Sequence, residues 1–125
     1  MNARHEIVML KQDNNQLDDT NLIMENTMLT KKFFKTKDEV EVTFEFGRED
    51  VTSVALAGEF NDWQPLAMKF NKKEKVFRTK VRLPKGGEFQ FKYLLNEDEW
   101  ENDYQADKYI PNIAGTEDSV VSTHA

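Results

Sequence analysis

The chain has no cysteine among its 125 residues, which excludes disulfide scaffolds, thiolate metal sites and thiol nucleophiles. Its two histidines, His5 and His124, lie near opposite ends, and neither has a histidine partner at the spacing of metal ligands. We interpret both as solvated terminal residues, because a general base on a chain end would be poorly held. The sequence therefore predicts no metal site and no cofactor.

Concentrated basic charge and long apolar runs are also missing. The chain has 17 Lys and Arg against 23 Asp and Glu, a net charge of −6, and no basic stripe of the kind that phosphate backbones require. No segment approaches the roughly 18 apolar residues of a membrane span, and the first residues lack the apolar core of a secretory signal. We therefore expect a cytoplasmic protein that binds neither nucleic acid nor membrane.

The N-terminal segment differs in composition from the rest of the chain. Residues 1–30 are rich in Asn, Asp and Gln, and their scattered apolar residues follow neither a helical nor a strand period. This pattern predicts a disordered tail at residues 1–30 and one folded module at residues 31–125.

Alternating apolar and polar residues dominate the module. Period-two patterns or short apolar runs bounded by turn residues predict strands at residues 40–46, 54–57, 76–83, 89–95 and 119–122. Gly47, Pro84 and Gly86 supply turn signals between them. Several short strands without a helical period between them predict an all-β, antiparallel sandwich or barrel.

Two tryptophans occur among polar residues rather than within these apolar patterns. Trp63 follows Asn and Asp, and Trp100 follows Asn, Glu and Asp. An exposed indole can stack on the apolar face of a sugar ring. Structural alternatives remain open, because Trp63 could close the end of the core and Trp100 could pack on Tyr93 or Tyr104.

Four sequence blocks carry a resemblance to a known family. In order they are Val-Ala-Leu-Ala-Gly-Glu-Phe-Asn-Asp-Trp63, Leu-Pro-Lys-Gly-Gly-Glu-Phe-Gln-Phe-Lys-Tyr93, Trp-Glu-Asn-Asp103 and Gly-Thr116. Together they resemble the family 48 carbohydrate-binding modules, which include the early-set domain of isoamylases and branching enzymes and the glycogen-binding domain of the AMP-activated kinase β subunit. The resemblance implies an immunoglobulin-like sandwich of about seven strands.

The resemblance also implies a binding site. In glycogen-binding members, the tryptophans matching Trp63 and Trp100 stack on glucose rings of an α-1,4-glucan, and the lysine matching Lys92 hydrogen-bonds sugar hydroxyls. The threonine matching Thr116 lies in a loop that touches the ligand, and a family asparagine falls on Asp118 here. The expected ligands are glycogen, starch and malto-oligosaccharides, with a glycogen-metabolising enzyme as a candidate protein partner.

Asn102 and Asp103 complete the predicted site as polar residues beside Trp100. Two of the site residues also have ordinary structural explanations, since an outward Lys92 can protect an edge strand and Thr116 can serve as a turn residue.

Calcium binding, glycoside hydrolysis and protein interaction are the three alternatives to sugar binding. The acidic residues between positions 97 and 107 do not have the spacing of a calcium loop. A glycosidase needs two carboxylates facing each other across a cleft, which one hairpin loop cannot build, so we predict a protein that is not an enzyme. The alternative from another class is a protein-interaction or regulatory early-set module that has lost sugar binding, with the tail as its partner contact.

Overall fold

A computed structural model describes residues 4–9 and 22–125. These residues form eleven strands and no α-helix. Nor does this part of the chain contain a helix long and apolar enough to cross a membrane. The strands are β1 (Arg4–Met9), β2 (Leu22–Phe33), β3 (Glu39–Arg48), β4 (Val54–Gly58), β5 (Leu66–Ala67), β6 (Lys69–Asn71), β7 (Val76–Pro84), β8 (Glu88–Leu95), β9 (Glu99–Glu101), β10 (Lys108–Pro111) and β11 (Glu117–Ser122), and a single 3-10 turn occupies Glu59–Asn61.

The strands form two antiparallel sheets that pack into a sandwich, which confirms the predicted fold class. Sheet A has the order β1-β2-β3-β7-β6, and sheet B has the order β10-β11-β8-β4-β5, with β9 also paired to β8. All five strands predicted from the sequence are present. The additional strands are the N-terminal pair and short segments that the alternation of apolar residues does not mark.

The core lies between β3 of sheet A and β8 of sheet B. Alternate residues of β3 are fully buried because successive side chains of a strand point to opposite faces. Phe44 contacts Phe91 with ring centroids 5.1 Å apart, and Phe46 contacts Tyr93 at 5.0 Å. Burial of each such side chain stabilises the fold by about 1.5–3 kcal/mol. The same alternation turns the even-numbered residues of β8, including Lys92, toward the outer face of sheet B.

The N-terminal segment differs from the expectation of a tail without strands. Residues 22–30 belong to β2, which pairs with β3 from Glu25 opposite Arg48 to Phe33 opposite Val40. Two inward positions of β2, Glu25 and Thr27, are polar yet buried. The sequence of β2 therefore lacks the alternation of apolar and polar residues that would have predicted a strand there. The predicted tail at residues 1–3 and 10–21 lies outside the described residues, and the division of the chain at residue 30 stays a prediction.

Candidate functional site

An open pocket of about 440 Å³ lies on the outer face of sheet B. It is lined by five of the seven predicted site residues: Trp63, Lys92, Trp100, Thr116 and Asp118. These residues come from the turn after β4, from β8 and β9, from the residue just before β11 and from β11 itself. The structure thus brings together side chains that lie up to 55 positions apart in the sequence.

The turn after β4 is held by an asparagine that the sequence analysis did not assign. The Asn61 side chain accepts a hydrogen bond from the Gly58 amide at 2.9 Å and donates one to the Leu56 carbonyl at 3.2 Å. The Trp63 amide donates to the Gly58 carbonyl at 2.9 Å. Phe60 anchors the turn from below, where its ring lies 5.7 Å from that of Phe44.

The close approach of the turn to the sheet requires glycine at position 58. A Cβ atom at Gly58 would lie 2.6 Å from the Gln90 carbonyl oxygen and 2.9 Å from the Phe60 ring. Packing and backbone hydrogen bonds therefore explain the Gly-Glu-Phe-Asn segment. The chain turns away from the sheet at the next two residues.

Those two residues adopt an uncommon backbone conformation. Asp62 and Trp63 have φ angles of 57° and 59°, in the left-handed region. Residues other than glycine rarely adopt this conformation, and those that do cluster at functional sites. This turn directs the indole away from the core, and Trp63 is 37% exposed. The alternative in which Trp63 closes the end of the core does not describe this arrangement.

Trp100 reaches the same face from β9. It pairs with Leu94 of β8, so both side chains lie on the outer face of sheet B, and Trp100 is 48% exposed. The turn between β8 and β9 has positive φ angles at Asn96 and Glu97, of 51° and 66°, as in a type I′ turn. The Asn96 side chain accepts the Thr52 amide at 2.8 Å, which ties this hairpin to the preceding loop.

Thr116 and Asp118 are positioned by a second asparagine that the sequence analysis missed. The Asn112 amide group donates to Thr116 Oγ1 and to Asp118 Oδ1, each at 2.9 Å, and its oxygen accepts the Thr116 backbone amide at 3.1 Å. Asn112 lies between Pro111 and Gly115, and these three residue types together are a common turn signal. This pattern was the available clue to a turn that Asn112 holds.

Lys92 and Asp118 form an ion pair inside the pocket. The ammonium group lies 3.8 Å from Asp118 Oδ1, and both side chains are largely buried. Asp118 Oδ1 also accepts a hydrogen bond from Asn112, so one hydrogen bond and one ion pair hold this carboxylate. The pair places a cation and an anion side by side in the pocket that the two indoles also line.

The structure does not bring the predicted Asp103 to the pocket. Asp103 is fully buried and accepts hydrogen bonds from the Tyr93 hydroxyl and the Gln105 amide, each at 2.7 Å. Burial raises the pKa of Asp103 above its ordinary value, although these hydrogen bonds act in the opposite direction. The Asp103 side chain faces the core, so it forms hydrogen bonds inside the fold and is not in a position to contact a sugar in the pocket.

Asn102 likewise serves the backbone rather than lining the pocket. Its side chain donates to the Glu117 carbonyl and accepts the Ser119 amide, both at 2.9 Å. Asn102 thereby holds the start of β11 next to β9, and its amide is already occupied by these two contacts.

The acidic residues around β9 are arranged as ion pairs and not as a metal site. Glu99 and Glu101 contact Arg48 at 3.3 Å and 3.4 Å. Within residues 4–9 and 22–125, no group of three or more His, Asp or Glu side chains could hold a metal ion.

Comparison with known proteins identifies the family. The sequence profile described as the glycogen recognition site of AMP-activated protein kinase matches residues 40–124, which is more than half of the chain and includes all seven predicted site residues. A search of curated proteins finds no match. The profile match confirms the resemblance to carbohydrate-binding modules and supports glycogen binding in general. The chain therefore belongs to the family of carbohydrate-binding modules that contains the glycogen recognition site of AMP-activated protein kinase.

Proposed function

We propose that this protein binds α-1,4-glucan chains by stacking glucose rings on Trp63 and Trp100. One observation carries the proposal: the only two tryptophans of the chain border the same open pocket, which Lys92 also lines. The ligands are glycogen, starch or malto-oligosaccharides, since all three present the same α-1,4-linked glucose.

The chemistry of the pocket matches that of a glucose ring. Such a ring has an apolar C–H face and a rim of hydroxyl groups, so a binder needs an aromatic platform and a few fixed polar groups. The two indoles supply the platform. The Lys92 ammonium donates hydrogen bonds, the Asp118 carboxylate accepts them, and the Thr116 hydroxyl can do either.

Preorganisation supports binding by a shallow site. Hydrogen bonds from Asn112 hold Thr116 and Asp118 before any ligand arrives, and ordering these groups in advance lowers the entropic cost of binding. An open pocket with two stacking surfaces still gives modest affinity, with a dissociation constant on the order of micromolar to millimolar.

Binding without catalysis is part of the proposal. Among the residues that the structure describes, Asp118 is the only carboxylate that lines the pocket. Glycoside hydrolysis generally uses two carboxylates on opposite sides of the scissile bond. Incubation with soluble starch should release no new reducing ends, and sustained release by the purified protein would contradict this part.

The binding test is a titration with maltoheptaose followed by tryptophan fluorescence and by NMR shift perturbation. The wild type should show a saturable change, and Trp63→Ala and Trp100→Ala should each weaken binding by about tenfold or more. Phe70→Ala is the matched control, because Phe70 is an aromatic of similar exposure on β6 of sheet A.

Absence of any response to millimolar maltoheptaose in a folded protein would contradict the proposal. That outcome would favour the other class of function, an interaction module whose ligand is a protein. A glycogen-metabolising enzyme as partner and a cytoplasmic location remain predictions from the sequence.

A further inference from the structure

Arg48 lies at the end of β3, where sheet A faces the hairpin that carries Trp100. Its side chain is almost completely buried and its guanidinium group contacts acidic side chains from three separate parts of the chain. Arg48 Nε and Nη2 bond the two oxygens of Asp50 at 2.7 Å and 3.3 Å. This two-point contact fixes the plane of the guanidinium group.

Of the remaining contacts of this group, one joins Nη1 to Glu25 Oε1 of β2 at 3.7 Å, and two reach β9 on either side of Trp100. Arg48 Nη2 lies 3.3 Å from Glu99 Oε1, and Nη1 lies 3.4 Å from Glu101 Oε2. In a strand, the residues before and after a given residue point to the opposite face. The two glutamates therefore point toward Arg48, and Trp100 points outward into the pocket.

β9 needs such support because its own backbone pairing is short. It pairs with β8 through only three residues, from Tyr93 opposite Glu101 to Leu95 opposite Glu99. So few pairs at the side of a sheet hold a strand weakly. The Tyr104 hydroxyl adds one contact, to the second oxygen of Glu101 at 2.8 Å.

From this geometry we infer that Arg48 is a positioning residue for the binding site, which holds Trp100 in its orientation by clamping Glu99 and Glu101. The inference rests on the proposed function for its effect on affinity. The effect of Arg48 on the orientation of the Trp100 indole does not depend on the proposed function, because it is a property of the free protein.

Burial and charge agree with a positioning role. Burial alone would lower the pKa of Arg48, but the hydrogen bond and charge of Asp50 and the charges of Glu99 and Glu25 raise it overall. The cation is thus kept charged by the same carboxylates that it holds. A buried ion pair is weak evidence for stability, because desolvation offsets the attraction, and fixing one geometry is its better supported use.

The test compares Arg48→Met and Arg48→Lys with the wild type, and uses Arg78→Met as a control. Arg78 also pairs with a strand glutamate, Glu45 at 2.7 Å, but on sheet A. Two readouts are needed: ¹⁵N relaxation of each indole N–H in the free protein, and the dissociation constant for maltoheptaose.

For Arg48→Met we expect the Trp100 indole to become more mobile while the Trp63 indole stays as in the wild type. Maltoheptaose should bind about 3- to 10-fold more weakly. Arg48→Lys should recover part of both properties, since it keeps the charge but not the planar fork. Arg78→Met should change neither.

Equal loosening of both indoles in Arg48→Met would overturn the inference, because it would show a general loss of structure. An unchanged Trp100 indole in the folded variant would do the same. If Arg48→Met fails to fold, Glu99→Gln replaces it. This substitution of a half-exposed side chain removes the charge that pairs with Arg48 on one side of Trp100. A more mobile Trp100 indole is again expected. If the wild type does not bind maltoheptaose, the proposed function fails, while the relaxation comparison still decides the role of Arg48.

Discussion

At the scale of single residues, the contact between Tyr93 and Asp103 explains why an acidic side chain lies inside the sandwich. The Tyr93 hydroxyl is buried at the centre of the core and needs an acceptor, which Asp103 provides at 2.7 Å. Burial, together with the charge of Asp103, raises the pKa of Tyr93 well above its ordinary value. Asp103 in turn accepts the Gln105 amide and thereby shapes the chain that follows β9.

The raised pKa of Asp103 predicts an unusual dependence of stability on pH. Because the folded state disfavours the carboxylate, the contribution of Asp103 is fully present below its ordinary pKa of 3.8 and is lost as the pH rises through the folded-state pKa. Most paired surface carboxylates act in the opposite direction.

We therefore expect the difference in unfolding free energy between the wild type and Asp103→Asn to fall as the pH increases from about 3 to about 7. The fall amounts to about 1.4 kcal/mol for each unit by which the folded-state pKa is raised. Urea unfolding at several pH values measures this difference. A difference that grows with pH would show that the folded state stabilises the carboxylate instead.

At the scale of elements, β2 is the segment whose role differs most from the sequence interpretation. It pairs with β3 through nine residue pairs, and Leu29 and Phe33 pack against the core. Without the residues before position 31, β3 would lose most of its partner strand and become an unpaired edge of sheet A.

A protein that begins at residue 31 should therefore be less stable than one that begins at residue 22. We expect a loss of several kcal/mol, because backbone pairing and the burial of Leu29 are removed together, and the shorter protein should aggregate more readily. Thermal unfolding and light scattering of the two proteins measure this. Equal stability would instead support a boundary near residue 30, as the sequence predicted.

The elements also show which features a local sequence pattern can predict. β3, β7 and β8 were predicted because most of their inward residues are apolar and alternate with polar ones. β2 was missed because Glu25 and Thr27 occupy inward positions, and their burial depends on partners elsewhere in the chain. Period-two reasoning has no means of recognising a buried polar face.

The same limit applies to the site. Trp63 and Trp100 were assigned to the proposed site because indoles among carboxylates are unusual in a sequence. The proposed role of Arg48 was not foreseen, since its contacts to β9 join residues 51 and 53 positions apart. Asp103 was placed in the pocket because it follows Trp100, but proximity along the chain does not determine the face toward which a side chain points.

At the scale of the whole molecule, charge is distributed so that the pocket contains its own counter-charge. The chain carries a net charge of −6, yet Lys92 and Asp118 pair within the pocket. The proposed glucan ligand is neutral, so its binding releases no counterions and involves no long-range attraction.

Binding of maltoheptaose should consequently be almost independent of salt. We expect the dissociation constant to change by less than about twofold between about 50 mM and about 500 mM sodium chloride. Calorimetry at both concentrations is sufficient. Affinity for maltoheptaose that fell steeply with salt would show that binding depends on screened charge interactions, and would contradict recognition mainly by stacking.

The openness of the pocket has a consequence for large ligands. An open pocket does not require a glucan to insert a chain end, so we expect the protein to recognise an internal stretch as readily as a terminus. A branched polysaccharide particle displays many such stretches, and a molecule that dissociates from one encounters the next at high local concentration. Residence on a particle should therefore far exceed the lifetime of any single contact, and crowding on its surface, rather than affinity for one chain, should set how many copies it carries.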